Sequence, residues 1–120
     1  MKNLGYNYEE RAARWLTERE GLQLLERNFR TKTGEIDIVA VDDGCLVFVE
    51  VRSRSHARYA SAAASVDRRK QQKLLRTAQG YLQRRPELAH LPCRFDVIAF
   101  EPRQSRTEAT LRWIRGAFTA

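Results

Sequence analysis

Apolar side chains recur along the chain with two periods, and the periods divide it into elements. Between residues 5 and 20, Tyr8, Ala12, Ala13, Trp15 and Leu16 fall at the three- and four-residue intervals of a helix face, with Asn7 placed to cap the helix and Gly21 to stop it. LQLLERNFR (22–30) alternates imperfectly and reads as a strand, and TKTG (31–34) as a turn. Residues 35–41 and 45–52 are so rich in Ile, Val and Phe that both their faces are apolar, which places them inside a sheet covered on both sides. Asp43-Gly44 between them is a two-residue hairpin signal. SRSHARYASAAAS (53–65) has no period and reads as a loop. VDRRKQQKLLRTAQGYLQRR (66–85) is a second helix, its stripe formed by Val66, Leu74, Leu75, Ala78, Tyr81 and Leu82, and Pro86 ends it. CRFDVIAFE (93–101) is a strand; after a polar turn, residues 109–115 form the last one. The order α, β, β, β, α, β, β predicts one α/β domain over residues 1–120, with a mixed central sheet of about five strands flanked by helices.

The apolar pattern is interrupted inside the central hairpin by Asp37, Glu50 and Arg52. A two-residue turn at Asp43-Gly44 pairs residues whose numbers sum to 87, so Asp37 faces Glu50 and Glu35 faces Arg52. Opposed residues share a face with Cβ atoms roughly 5 Å apart, and two carboxylates so placed repel unless a proton or a cation intervenes. Two arrangements satisfy the charges. A hard divalent ion, Mg²⁺ or Mn²⁺, takes carboxylate, backbone carbonyl and water oxygens. Alternatively Glu35, Asp37, Glu50 and Arg52 balance one another as an ion-pair ladder with no metal.

Charge changes the picture next. The 120 residues hold 22 Lys and Arg against 15 Asp and Glu, a net +7, and the pI is near 10.0. Such a balance suggests a polyanionic partner, most simply nucleic acid; a basic but otherwise inert surface is the equal alternative. The excess is concentrated on the second helix, where Arg69, Lys73 and Arg76 form a stripe away from the apolar one and Lys70 lies beside them. Arg54 and Arg58 add charge near the acids, and Tyr59 is placed to stack on a base. The competing reading is an ordinary solvated helix face. No helix-turn-helix or zinc-finger spacing is present, so binding directed by structure rather than by base sequence is expected. Cys45 and Cys93 each open an apolar run and read as buried, reduced thiols; His56 and His90 read as loop residues. With no secretory signal and no run near the ~20 apolar residues of a membrane span, a cytoplasmic protein away from membranes is expected.

Asp37, followed thirteen residues later by Glu50 with Arg52 two beyond, resembles the PD-(D/E)xK motif of nucleases with the restriction-endonuclease-like fold. More widely, Glu10 to Ala13, Trp15-Leu16, Arg27-Asn28-Phe29-Arg30, Gly34-Glu35-Ile36-Asp37, Phe48-Val49-Glu50-Val51, Arg54, Lys70, Ala78, Tyr81-Leu82, Arg94-Phe95-Asp96-Val97 and Ala117-Phe118 are similar to the YraN-like family of small bacterial proteins, related to archaeal Holliday-junction resolvases. The resemblance covers nearly the whole chain. It implies a single endonuclease-like domain that binds nucleic acid and hydrolyses phosphodiesters in structured or branched DNA. It implies metal ligation by Asp37, Glu50 and the Val51 carbonyl, with Glu10 assisting directly or through water. Arg52 stands where the pattern has Lys. Arginine stays protonated, so it can stabilise charge on the phosphate but cannot act as a general base. Lys70 or Lys73 is placed to supply the displaced lysine. The alternative is a nucleic-acid-binding module in which Arg52 marks lost catalysis. Since the related resolvases cut paired strands as dimers, a homodimer would suit the same activity.

Overall fold

The computed structural model describes residues 4–53, 66–101 and 110–118. Five strands, β1 (Gln23–Thr31), β2 (Gly34–Asp42), β3 (Cys45–Ser53), β4 (Cys93–Glu101) and β5 (Thr110–Phe118), form one sheet in sequential order. β3 and β4 run parallel and every other neighbouring pair is antiparallel. A parallel pair needs a long crossover, and helix α2 (Arg68–Arg84) supplies it. Helix α1 (Leu4–Arg14), continued by a π-helical turn at Trp15–Arg19, precedes β1. The result is the mixed α/β arrangement expected of the restriction-endonuclease-like fold.

The doubly apolar central strands are explained by two separate cores. On one face, Val39, Leu46, Phe48, Phe95, Val97 and Ala99 pack against Leu74, Ala78 and Tyr81 of α2. On the other, Ile38, Ala40, Val47, Val49, Ile98 and Phe100 pack against Ala12, Ala13 and Leu16 from α1 and its continuation. Each large apolar side chain so buried contributes about 1.5–3 kcal/mol. Asp67 caps α2: its Oδ1 accepts the Lys70 N–H at 2.9 Å, a bond type whose loss costs about 1 kcal/mol. Asp43 and Gly44 adopt φ of 50° and 83°, the left-handed pair of a type I′ hairpin turn. The sum-of-87 register holds from Asp42↔Cys45 through Ile38↔Val49.

β5 reaches Phe118, three residues beyond the sequence-based boundary, and Asp96 explains the extension. That fully buried carboxylate accepts from Arg94 Nε at 2.9 Å, Trp113 Nε1 at 2.8 Å and the Gly116 N–H at 2.9 Å. It fastens a kinked stretch of β5, in which Gly116 has φ of 58°, so that Phe118 stacks on Phe95 with ring centroids 5.0 Å apart. Three expectations change in detail. Helix α1 starts at Leu4, so Asn7 lies inside it and does not cap it. Val66 is buried but precedes α2. Cys93 is exposed and Cys45 half-buried, because both sit at the outer ends of their strands rather than in the core. Arg54, Arg58, Tyr59 and the rest of the 54–65 loop lie outside the described residues. Among the described residues no helix is long and apolar enough to cross a membrane.

Candidate active site

The two sheet strands that carry the acids part company at the acids. Cross-strand pairing between β2 and β3 runs to Ile38↔Val49, and at the next position the Asp37 side chain takes over: its Oδ2 accepts the Val51 N–H at 2.8 Å. The neighbouring β1 is irregular at the same level. Pairs between β1 and β2 sum to 65 here (Arg27↔Ile38, Phe29↔Ile36), which sets Asn28 opposite Asp37, and Asn28 has φ of 56°. Asn tolerates this left-handed conformation better than most residues. The break reverses the facing of β2: Ile38 packs in the α1-side core, whereas Ile36, two residues away, packs in the α2-side core. Asp37 therefore sits at a local opening of the sheet.

Asp37 and Glu50 are buried there, at 7% and 5% exposure, and their carboxyls share a hydrogen bond. Burial first, then the Glu50 charge, pushes the Asp37 carboxyl up to about 8, against the pull of the Val51 N–H. Glu50 is also raised, again chiefly by burial, although two cations counter it. Those cations are Arg52, with Nη1 3.4 Å from Glu50 Oε2, and Lys70, with Nζ 3.5 Å from the same oxygen. Lys70 comes from the first turn of α2, so helix and sheet meet at Glu50. Glu35, expected opposite Arg52, instead pairs with Arg30 of β1 at 3.2 Å, because β2 has already left β3 at that level.

The first helix brings a different acid from the one its motif indicated. Glu10 is held by Arg27, whose Nη1 donates to Oε1 at 2.7 Å. Its neighbour Glu9 is the acid that senses the site: burial, then the Asp37 and Glu35 charges, push it up to about 7. Turned so that its amide nitrogen faces the acids, Asn28 donates to Glu9 Oε1 at 3.0 Å and to Glu35 Oε2 at 3.2 Å. Glu9 was legible after all. It precedes Ala12, Ala13 and Leu16 by three, four and seven residues, the spacing of the buried stripe, whereas Glu10 lies one step around the helix. For Asn28, the imperfect alternation of β1 was the available signal.

Arg52, Asp67, Arg69, Lys70 and Lys73 line a cleft of about 430 Å³ beside the acid pair. Arg69 and Lys73 are exposed, as their stripe predicts. Arg76, on the same stripe, lines a separate groove farther along α2. Two of its lining cations, Arg52 and Lys70, are the ones that reach Glu50, so a mainly basic cleft adjoins the buried acid pair.

Comparison with known sequences decides the family. The profile of Uncharacterised protein family UPF0102 matches residues 8–100. The chain belongs to UPF0102. A UPF0102 protein of Alcanivorax borkumensis is 50% identical over 117 residues, covering 98% of this chain and 92% of that one. One from Halorhodospira halophila is 50% identical over 114 residues, 95% of this chain and 85% of its own. A third, from Methylobacillus flagellatus, is 44% identical over 120 residues, the whole of both chains.

Whether this UPF0102 site suits a divalent cation is a question of donors. Asp37 and Glu50 are hard oxygen ligands, and burial raises the proton affinity of both, with the Glu50 charge adding to the rise at Asp37. Among the described residues no group of three or more Asp, Glu, His or Cys converges tightly enough to hold a metal by itself. The donor set therefore fits an ion that keeps several waters and takes one or two carboxylates, as Mg²⁺ does, with a backbone carbonyl such as that of Val51. It does not fit zinc, which wants N and S ligands.

Proposed function

We propose that this UPF0102 protein is a metal-dependent, endonuclease-like nucleic-acid-binding protein that hydrolyses phosphodiesters in structured or branched DNA in the cytoplasm. One observation carries the reading: a buried Asp37–Glu50 carboxylate pair, at an opening between β2 and β3, is reached by Arg52 and Lys70, which with Arg69 and Lys73 line a cleft. A ladder that balanced itself would leave the acids ionised at ordinary values; here burial and the neighbouring Glu50 charge push Asp37 up to about 8. Asp37 and Glu50 would hold Mg²⁺ or Mn²⁺, with the Val51 carbonyl as a further ligand. Bound there, the ion would lower the pKa of a coordinated water and neutralise charge on the phosphate.

The chain's own residues do the rest. Asn28 of β1 ties Glu9 of the first helix to Glu35 of β2 beside Asp37. Arg52 carries a fixed positive charge for the phosphate but cannot accept a proton. Lys70, 3.5 Å from Glu50, occupies the part that the usual β3 lysine would play, reaching the acid from α2 instead. Arg69, Lys73 and Arg76 hold the flanking backbone, joined from the loop by Arg54 and Arg58. The test is incubation of four-way junctions and linear duplex with Mg²⁺ or Mn²⁺. Wild type is expected to cut the junction preferentially and Glu50→Ala to be inactive; equal residual cutting by both would refute the assignment. Arg52 at the lysine position favours a second reading, a binding module without chemistry. Tight junction binding with no cutting by wild type would select it.

A further inference from the structure

A second groove lies on the same helix face as the acid-site cleft, and of its lining the proposed activity uses Arg76 alone. It has a volume of about 530 Å³ and lies between α2 and the β1–β2 turn, with Lys32, Thr33, Arg76, Gln79, Gln83 and Arg84 among its lining residues. Along α2, Arg69, Lys73, Arg76, Gly80 and Gln83 follow one another at four, three, four and three residues, so they form one continuous face. The first two line the acid-site cleft, and the last three line this groove. The two concavities are thus stations on one surface.

The turn that forms the far wall is fixed in place. Thr31 and Thr33 hydroxyls lie 2.7 Å apart, Thr33 and Thr77 hydroxyls 2.9 Å apart, and the Thr77 hydroxyl donates to the Lys73 carbonyl at 2.9 Å. A side chain at Gly80 would meet Thr31 Cγ2 at 3.2 Å, so glycine lets the turn sit close on the helix. Lys32 is exposed on this anchored turn, across from Arg76 and Arg84. The anchored turn therefore presents Lys32 and its hydroxyls opposite the cations and amides of α2 on a fixed backbone, which lowers the ordering cost of a polyanion contact.

The groove's chemistry specifies its ligand. Three cations with two glutamine amides and hydroxyls suit phosphate oxygens and sugars. Its described lining contains no aromatic ring on which an unpaired base could stack, and a single strand is held largely by such stacking. At about 1.5 Å per helical residue, Gly80 lies about 15 Å and Arg84 about 21 Å along α2 from Lys70. At about 3.4 Å per base pair, that is a reach of four to six pairs. We propose that this groove is a second phosphodiester-backbone subsite, which grips the duplex arm of the substrate about four to six base pairs from the acid pair. The inference rests on the nucleic-acid reading above and adds to it the form of nucleic acid and its path.

Fluorescence anisotropy of the full chain in EDTA, with labelled hairpin duplexes of 4 and 12 base pairs and a 24-nucleotide single strand, tests this. Wild type should gain at least tenfold in affinity when the duplex is lengthened. Lys32→Glu and Lys32→Glu/Gln83→Glu should lose most of that gain, lower the slope of log K against log salt by roughly one for the lost cation, and leave single-strand binding unchanged. Both substituted residues, Lys32 and Gln83, are exposed, so equal melting temperatures are expected. An identical length gain in wild type and variants, or an equal loss on the single strand, would overturn the subsite while leaving junction cleavage intact. Absence of any duplex binding by wild type would overturn both readings.

Discussion

Asp37 carries a heavy electrostatic burden, buried beside a second carboxyl. Its folded-state value of about 8 lies above the ordinary 3.8, so between those pH values the native chain keeps a proton that the unfolded chain has lost. The stability this provides is full below about pH 4 and disappears as pH rises through 8. The groups that set it come from every side: Glu9 on α1, Glu35 on β2, Glu50 on β3 and, through Glu50, Lys70 on α2. Asp37→Asn should therefore stabilise the metal-free protein at pH 8 by at least about 1.4 kcal/mol, one unit's worth, and by much less at pH 4. Melting curves in EDTA at the two pH values check it; a variant less stable at pH 8 would contradict the account. Lys70→Ala should reduce junction cleavage by a hundredfold or more, whereas Lys73→Ala, one turn away on the exposed stripe, should cost less than tenfold. Equal rates for both variants and wild type would remove lysine from the chemistry. The sequence exposed the Asp37–Glu50 opposition because a hairpin register is arithmetic once the turn is known. It hid Glu9 because a motif match drew the eye to Glu10, while the helical phase that distinguishes the two is a weaker signal.

At the scale of elements, the opening between β2 and β3 depends on neighbours that hold it in shape. On one side the Thr31–Thr33–Thr77 hydroxyl chain ties the β1–β2 turn to α2. On the other, Asp96 ties β4 to β5, and Arg94 extends the tie to Asp42 at the hairpin end of β2, 2.9 Å away. Asp96→Ala should destabilise the fold by about 3–5 kcal/mol, because it removes a fully buried carboxylate on which the half-buried Arg94 guanidinium, the Trp113 indole N–H and the Gly116 N–H converge. Asp42→Ala should cost about 1 kcal/mol, since that half of the pair is partly solvated. Urea denaturation measures both, and equal losses would show that the network is not centred on Asp96. The elements themselves were legible: two strands apolar on both faces required two covering layers, and α1 and α2 provide them. The full length of β5 was not, because what extends it is a tertiary contact from Asp96 rather than any period of its own.

For the whole molecule, charge is distributed to a purpose the fold alone does not require. The net +7 is carried in part by a face of α2 that runs from the acid cleft to the second groove. If Arg69, Lys70, Lys73, Arg76 and Lys32 each meet one phosphate, log K for a long duplex should fall against log salt with a slope of about −4 to −5; a slope near zero would exclude a backbone-tracking partner. Buried like charges lower stability, and on the proposed reading this pair is kept for the ion it binds. Titration calorimetry with Mn²⁺ at pH 8 asks this directly. Wild type should bind one ion, and Asp37→Asn and Glu50→Gln should each bind at least tenfold more weakly while remaining folded. No heat from wild type, or undiminished binding by both variants, would contradict the metal centre and leave Asp37 and Glu50 as a proton-sharing brace.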